Sequence, residues 1–107
     1  MENDTTQFEA RLAIWLAGAQ KMIDDNSVNS TLRREVLSIG RGKRYIRIVR
    51  ITEGYTSGSV HAFIDTTNGD VLKPATWKAP AKTARGNLFD ATNGLGRMTS
   101  YGPEYLR

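Results

Sequence analysis

The chain of 107 residues contains no cysteine and one histidine, His61. Those two shortages remove whole classes of chemistry. Without thiols there is no disulfide framework and no thiolate-bound metal. One imidazole alone leaves a zinc site without a plausible ligand set, so no metal is expected. A nucleophilic triad would need His61 beside a poised serine, and no Gly-x-Ser-x-Gly elbow occurs. Gly40-Arg41-Gly42 lacks the third glycine and the following helix of a dinucleotide fingerprint, and there is no phosphate-loop motif. Carboxylates thin out after Asp25, where only Glu35, Glu53, Asp65, Asp70, Asp90 and Glu104 remain. A paired-carboxylate hydrolase could still be assembled from these by folding. The expectation is nonetheless a binding protein without catalysis or cofactor. Long apolar runs are missing too: none approaches the ~20 residues that cross a bilayer. The opening Met1-Glu2-Asn3-Asp4 is acidic where a secretion signal would be basic and then apolar. These absences point to a domain of cytoplasmic type with no membrane partner, and the lack of cysteine fits a reducing compartment.

What is present is charge, unevenly placed. Residues 1–26 hold five acids (Glu2, Asp4, Glu9, Asp24, Asp25) against Arg11 and Lys21. Residues 33–50 hold seven bases (Arg33, Arg34, Arg41, Lys43, Arg44, Arg47, Arg50) against Glu35 alone. Residues 73–85 add Lys73, Lys78, Lys82 and Arg85 with no acid. A field of this kind favours anionic partners. Its plainer explanations are a solvated basic face, or a contact with the acidic helix of a neighbouring subunit.

The length suits one domain spanning 1–107, with roughly two-thirds of the unfolded chain's surface buried. Phe8, Leu12, Trp15, Leu16, Ala19, Met22 and Ile23 recur at the three-four spacing of an amphipathic helix. Thr6 and Glu9 read as its capping box, which predicts a helix over 6–24 within an N-terminal segment 1–26. Trp15 and Met22 are expected in the core. Residues 35–39 read as a strand, Gly40-Arg41-Gly42 as a turn, and 43–52 as a β-branched strand. Alternation puts Arg44, Ile46, Ile48 and Arg50 on one face of that strand and Tyr45, Arg47, Val49 and Ile51 on the other. Both faces carry apolar residues, so both are expected to be covered, one by the helix and one by a second layer or a partner subunit. Residues 59–65 form the next strand. Asn68-Gly69 then marks a hairpin into 70–73, with Asp65 and Asp70 bonding nearby backbone. Residues 74–87 show no clean period and read as a loop, with Leu88 and Phe89 packing inward. Residues 98–107 add a short strand broken at Gly102-Pro103. The fold class is α+β: an N-terminal amphipathic helix followed by a small, strongly bent antiparallel sheet of about five strands within 33–107.

The candidate site lies in residues 77–87. Lysine offers phosphate a point charge and arginine a bidentate fork, which singles out Lys78, Lys82 and Arg85. Trp77 offers a flat face for a base. Gly86 permits close approach of backbone, and Asn87 can read a base edge or a ribose hydroxyl. On the alternative reading, Pro74 and Pro80 stiffen a connection, Trp77 plugs the core and the bases face water. His61, on a strand beside Phe63, is expected to be structural.

The stretch Val60-His-Ala-Phe-Ile-Asp-Thr-Thr-Asn-Gly-Asp-Val-Leu-Lys-Pro-Ala-Thr-Trp77, continuing through Lys78-Ala-Pro-Ala-Lys-Thr-Ala-Arg-Gly-Asn87, resembles a segment of small tailed-bacteriophage proteins. It covers about a quarter of the chain. Size, helix-then-sheet order and this segment are also similar to the phage anti-Thoeris sponges, oligomers that sequester cyclic ADP-ribose-type signals without cleaving them. That resemblance implies an aromatic for the base, an asparagine, and an arginine for phosphate. The matching residue types are Phe63 or Trp77, Asn87, and Arg85 or Arg97. The expected partner is then a phosphate-bearing small molecule, bound by a homo-oligomer in an infected bacterial host. The rival expectation is nucleic acid, bound by an oligomeric RNA-binding module of Sm-like order. A third is a host protein with an acidic surface.

Overall fold

The computed structural model describes residues 2–26, 34–56 and 58–104, with side chains from Thr6 onward. One helix, α1 (Glu2–Asn26), precedes a five-stranded sheet: β1 (Glu35–Arg41), β2 (Tyr45–Thr52), β3 (Ser59–Asp65), β4 (Asp70–Pro74) and β5 (Pro80–Asn87). A two-stranded hairpin, β6 (Met98–Thr99) and β7 (Gly102–Pro103), closes the described chain. The sheet is a simple antiparallel meander in chain order and does not close into a barrel. The expected α+β class is observed. The turn-and-strand end expected at 98–107 is this small hairpin as far as Glu104, and Tyr105–Arg107 lie outside the described residues.

The apolar stripe of α1 explains its seating. Leu12, Trp15 and Ala19 are buried in one cluster with Ile46, Ile48, Ala62, Ile64, Val71, Leu88 and Met98. Alternation on β2 therefore works as expected, with Ile46 and Ile48 pointing under the helix. Gly18 sits mid-helix, where glycine costs about 1 kcal/mol relative to alanine. A Cβ there would stand 2.5 Å from Leu95 Cδ1, so the bare position lets the 88–97 segment pack onto the helix. The helix also guards the sheet's first edge. The Gln20 side chain accepts from Leu37 N (2.8 Å) and donates to the Glu35 carbonyl (2.8 Å), taking up backbone groups that β1 would otherwise present to another chain.

Four expectations need correcting. The helix begins at Glu2, so Thr6 and Glu9 lie inside it and do not form its cap; the apolar stripe, which starts at Phe8, marks where packing begins and not where the backbone bonds do. β1 runs through Gly40 to Arg41, because Arg41 still pairs with Ile46, and the reversal is confined to 42–44, with Gly42 N donating to the Tyr45 carbonyl. Residues 80–87 are a strand and not a loop. Its proline stands at the first position of an edge strand, where no ladder donor is needed, and register shifts between Val71/Leu72 and Leu72/Pro74 blur its period. Phe89 is exposed (44%), while Leu88 is buried as expected.

Within the single chain, β2 is fully sealed on one face only. Ile46 and Ile48 are sealed, whereas Tyr45, Arg47, Val49 and Ile51 on the opposite face are only half-buried. Among the described residues the overlay on that face is the β4–β5 loop, carrying Trp77. The ladder skips His61: Ile48 pairs with Ala62 and Val49 with Val60, a β-bulge that bends β3. Gly102 packs there with φ +109°, and a Cβ would lie 2.6 Å from the His61 carbonyl oxygen.

Candidate ligand-binding face

The basic cluster at 34–50 is mostly neutralised within the chain. Arg34 pairs with Asp24 (2.8 Å), Arg41 with Glu9 (2.7 Å), Arg44 with Asp65 (3.2 Å) and Arg50 with Glu35 (2.7 Å). Two of those four carboxylates come from α1. The opposite charges of the helix and β1 thus complement each other within one subunit. Among the described residues, Lys43, Arg47, Lys78 and Lys82 have no carboxylate partner.

Arg47 is the centre of the open sheet face. Its Nε donates to the Trp77 carbonyl (2.8 Å), and its guanidinium lies 4.8 Å from the Trp77 ring centre. Beneath it, Phe63 sits 6.0 Å from the same guanidinium and meets Tyr45 edge-on at 6.2 Å. Arg44 lies 5.1 Å from the Tyr45 ring. The order is a ladder of rings and guanidinium groups: Trp77, Arg47, Phe63, Tyr45, Arg44. Cation–π contacts of this kind hold each ring and each charge in place.

Local chemistry places Trp77 at the top of that ladder. Ala75 N and Thr76 N both donate to the Ala79 carbonyl (3.0 Å each), closing a tight loop. Thr76 Oγ1 accepts from Lys78 N (3.2 Å) and Ala79 N (3.1 Å), a turn that a threonine favours. The loop holds Trp77 47% exposed, with neighbouring Lys78 also at the surface.

The sequence-selected residues therefore fall into separate groups. Trp77 and Lys78 share the open face, and Phe63 supports it from below, only 2% exposed. Lys82 is exposed on β5. Arg85 is buried, with its guanidinium bonded to the carbonyls of Thr83 and Glu104. Asn87 is fully occupied: its Nδ2 donates to the Asn68 carbonyl (2.8 Å) and Asp70 Oδ1 (2.9 Å), and its Oδ1 accepts from Phe89 N (2.8 Å). Gly86 is approached by the backbone of Gly94, whose carbonyl oxygen would lie 3.3 Å from a Cβ there. Arg97 pairs with Glu104 (3.3 Å). Arg85, Gly86 and Arg97 nevertheless line one shallow groove of about 380 Å³ with Asp90 and Thr92. Arg47 and Tyr45 join the site although the residue types at 77–87 do not point to them. The signal available was the alternation that places both on the strand face opposite Ile46 and Ile48.

Two carboxylates that the sequence leaves available are structural. Asp65 accepts from Thr67 N (2.9 Å) and Thr67 Oγ1 (2.6 Å). Burial alone would raise its pKa, but these bonds and Arg44 outweigh it and hold the carboxyl below its ordinary value. Asp90 accepts from the backbone N–H groups of Gly94, Asn87 and Thr92, which push its pKa down to about 2 against the opposing effect of burial. His61 is buried, and its Nε2 has no partner among the described residues. Burial first, then the Arg50 charge, pushes its pKa down to about 4. A histidine held neutral in this way fits the structural role expected of it.

The chain matches one family model over residues 2–101. It belongs to DUF7717, a family of unknown function. No curated protein and no solved structure matches the chain. The family description of DUF7717 names no activity or ligand. No helix among the described residues is long and apolar enough to cross a membrane.

Proposed function

We propose that this DUF7717 protein is a non-catalytic binder of anionic ligands that carry flat rings, single-stranded nucleic acid foremost. The observation carrying this reading is Trp77. Its ring is half exposed, Arg47 stacks on it without a carboxylate partner, and Lys78 adjoins it unpaired. A base on the exposed ring surface contributes roughly 1–3 kcal/mol by stacking. Lys78 and the terminal guanidinium nitrogens of Arg47, whose Nε is held by the Trp77 carbonyl, can meet phosphate beside the ring, and an open face accommodates a strand better than it encloses a small molecule.

Intrinsic fluorescence tests this reading directly. Trp15 is sealed in the core, so an added oligonucleotide should quench Trp77. Affinity should fall as salt rises, with a log–log slope near −0.7 for each phosphate neutralised on a single strand. No quenching of Trp77 at low salt would overturn the proposal.

The groove at Arg85, Gly86 and Arg97 favours a second reading, capture of one phosphate-bearing nucleotide by a homo-oligomer. Such binding would saturate at a fixed number per subunit and depend weakly on salt. It would also require Arg85 to give up its carbonyl partners or Arg97 to leave Glu104. Native mass spectrometry of the protein purified from bacteria reads subunit number and any retained small ligand together.

A further inference from the structure

A second concavity lies away from Trp77, between the N-terminal part of α1 and the β3–β4 turn. It is an open cleft of about 620 Å³, lined by Gln7, Phe8, Glu9, Arg41, residues 66–68 and Phe89. Small-molecule sites are commonly of this size, apolar with a few polar groups that fix orientation. We propose that this cleft is a binding site for a small uncharged heteroaromatic molecule.

The floor is aromatic and held in position. Phe8 and Phe89 lie with ring centres 6.5 Å apart and planes inclined by 48°. Phe89 is kept outside the core by its own backbone, whose N–H is fixed to Asn87 Oδ1. Its ring rests on Gly69, where φ is +83° and a Cβ would stand 3.0 Å from two ring carbons. The hairpin glycine therefore serves both the turn and the seat of the ring. An exposed phenyl held on a bare glycine, in tilted contact with a second phenyl, gives a ring-shaped ligand an aromatic floor to lie on.

The rim sets the charge of the ligand. Its two ionic groups, Arg41 and Glu9, satisfy each other through two hydrogen bonds of 2.7 and 3.1 Å. An anion would have to displace Glu9 and a cation would have to displace Arg41, so the cleft favours neither sign. Two amides remain available: the Gln7 side chain and Asn68 Nδ2 have no hydrogen-bond partner among the described residues, while Asn68 Oδ1 is taken by Asp70 N. These can donate to a ring nitrogen, and Gln7 can also accept from a ring N–H. The cleft thus differs from the Trp77 face in the charge of its ligand and shares no residue with it.

Benzimidazole is a suitable probe: it is uncharged at neutral pH, with one donor and one acceptor on a flat ring. Benzoate is its anionic counterpart. Titrating the nitrogen-labelled full chain, followed by NMR, should give saturable shifts at the Gln7 and Asn68 side-chain amides and at Gly69. Benzoate should bind at least about tenfold more weakly, since it gains no free cation. Phe89→Ala should weaken benzimidazole about tenfold, and Phe89→Leu, which keeps apolar bulk without the ring, should fall between. Phe89 is surface-exposed, so circular dichroism of both variants should match that of the wild type. Trp77→Ala should leave benzimidazole binding unchanged, which separates this site from the nucleic-acid face. Shifts that fail to saturate or centre on Trp77, benzoate binding as tightly as benzimidazole, or a Phe89→Ala affinity equal to wild type would each overturn the proposal.

Discussion

The two faces of β2 are made from alternate residues of one strand and serve opposite ends. Ile46 and Ile48 point under α1 and are sealed among Leu12, Trp15, Ala62 and Ile64. Tyr45, Arg47, Val49 and Ile51 point the other way and stay half-buried, with only the β4–β5 loop laid over part of them. Stability and ligand chemistry are thus kept on different sides of one strand. The covered face is apolar and closely packed, so each methyl group there contributes to folding. The other face carries Tyr45 and Arg47, a ring and a cation without a carboxylate partner, beside the buried Phe63 of β3, and leaves groups available to a ligand.

The largest test of this contrast is a paired truncation. Ile48→Ala should destabilise the protein by about 3–4 kcal/mol in urea unfolding, since the core offers no way to fill the cavity. Val49→Ala, one residue along and on the other face, should cost about 1 kcal/mol or less, because the site is already partly wet. Equal losses would mean that the second face is covered as well, for instance by another subunit.

The next effect depends on pH. His61 has its pKa lowered to about 4 in the fold, against an ordinary value of 6.5. Above pH 6.5 the imidazole is neutral in both folded and unfolded chains and gives no pH dependence. Between 6.5 and about 4 only the unfolded chain takes the proton, so stability falls as the pH drops. The loss from this group alone reaches up to about 3 kcal/mol at 1.36 kcal/mol per pKa unit. Urea titrations of wild type and His61→Gln at several pH values should differ by that slope across this window. Parallel curves would show that the bulge does not exclude the charged imidazole.

A smaller effect is expected at the first sheet edge. Gln20→Ala removes both side-chain bonds to β1, at a cost of about 1–2 kcal/mol, since water can replace part of what is lost. Amide exchange at Leu37 should quicken. Unchanged exchange would mean that the helix guards β1 by burial and not through this side chain. The smallest effect on folding belongs to the open face. Trp77→Ala should change stability by only about 0.5 kcal/mol while removing roughly 1–3 kcal/mol of oligonucleotide binding. A large loss of stability with no loss of binding would place Trp77 with the core residues.

Much of the fold was legible in the chain. Apolar spacing found the helix from Phe8 to Ile23, and β-branched runs found β2 and β3. Asn68-Gly69 marked the hairpin, whose Gly69 N donates to the Asp65 carbonyl. What escaped were features with no periodic signal. β5 consists of Pro, Ala, Lys, Thr, Arg, Gly and Asn, and it becomes a strand because β4 supplies its bonding partners across two bulges. The start of α1 carries no apolar stripe, so the pattern could not show it. The candidate site was legible only in part. Trp77 and Lys78 emerged at the surface together, but Arg85 and Asn87 were drawn into carbonyl and carboxylate contacts with residues 104, 68 and 70 that lie 17 to 19 positions away.

The order of amino acids by itself determined the types of α1 and of β1 to β4, the helix face that is buried, the alternation on β2 and the exclusion of thiol chemistry, because each depends on neighbours within a few residues. Only the tertiary structure decided which charges are free. Glu9 and Asp24 reach Arg41 and Arg34 across 32 and 10 positions, and Arg47 meets Trp77 across 30. Whether a cation is neutralised depends on which group lies within a few ångströms of it, and that proximity is set by how the helix and the loop pack on the sheet.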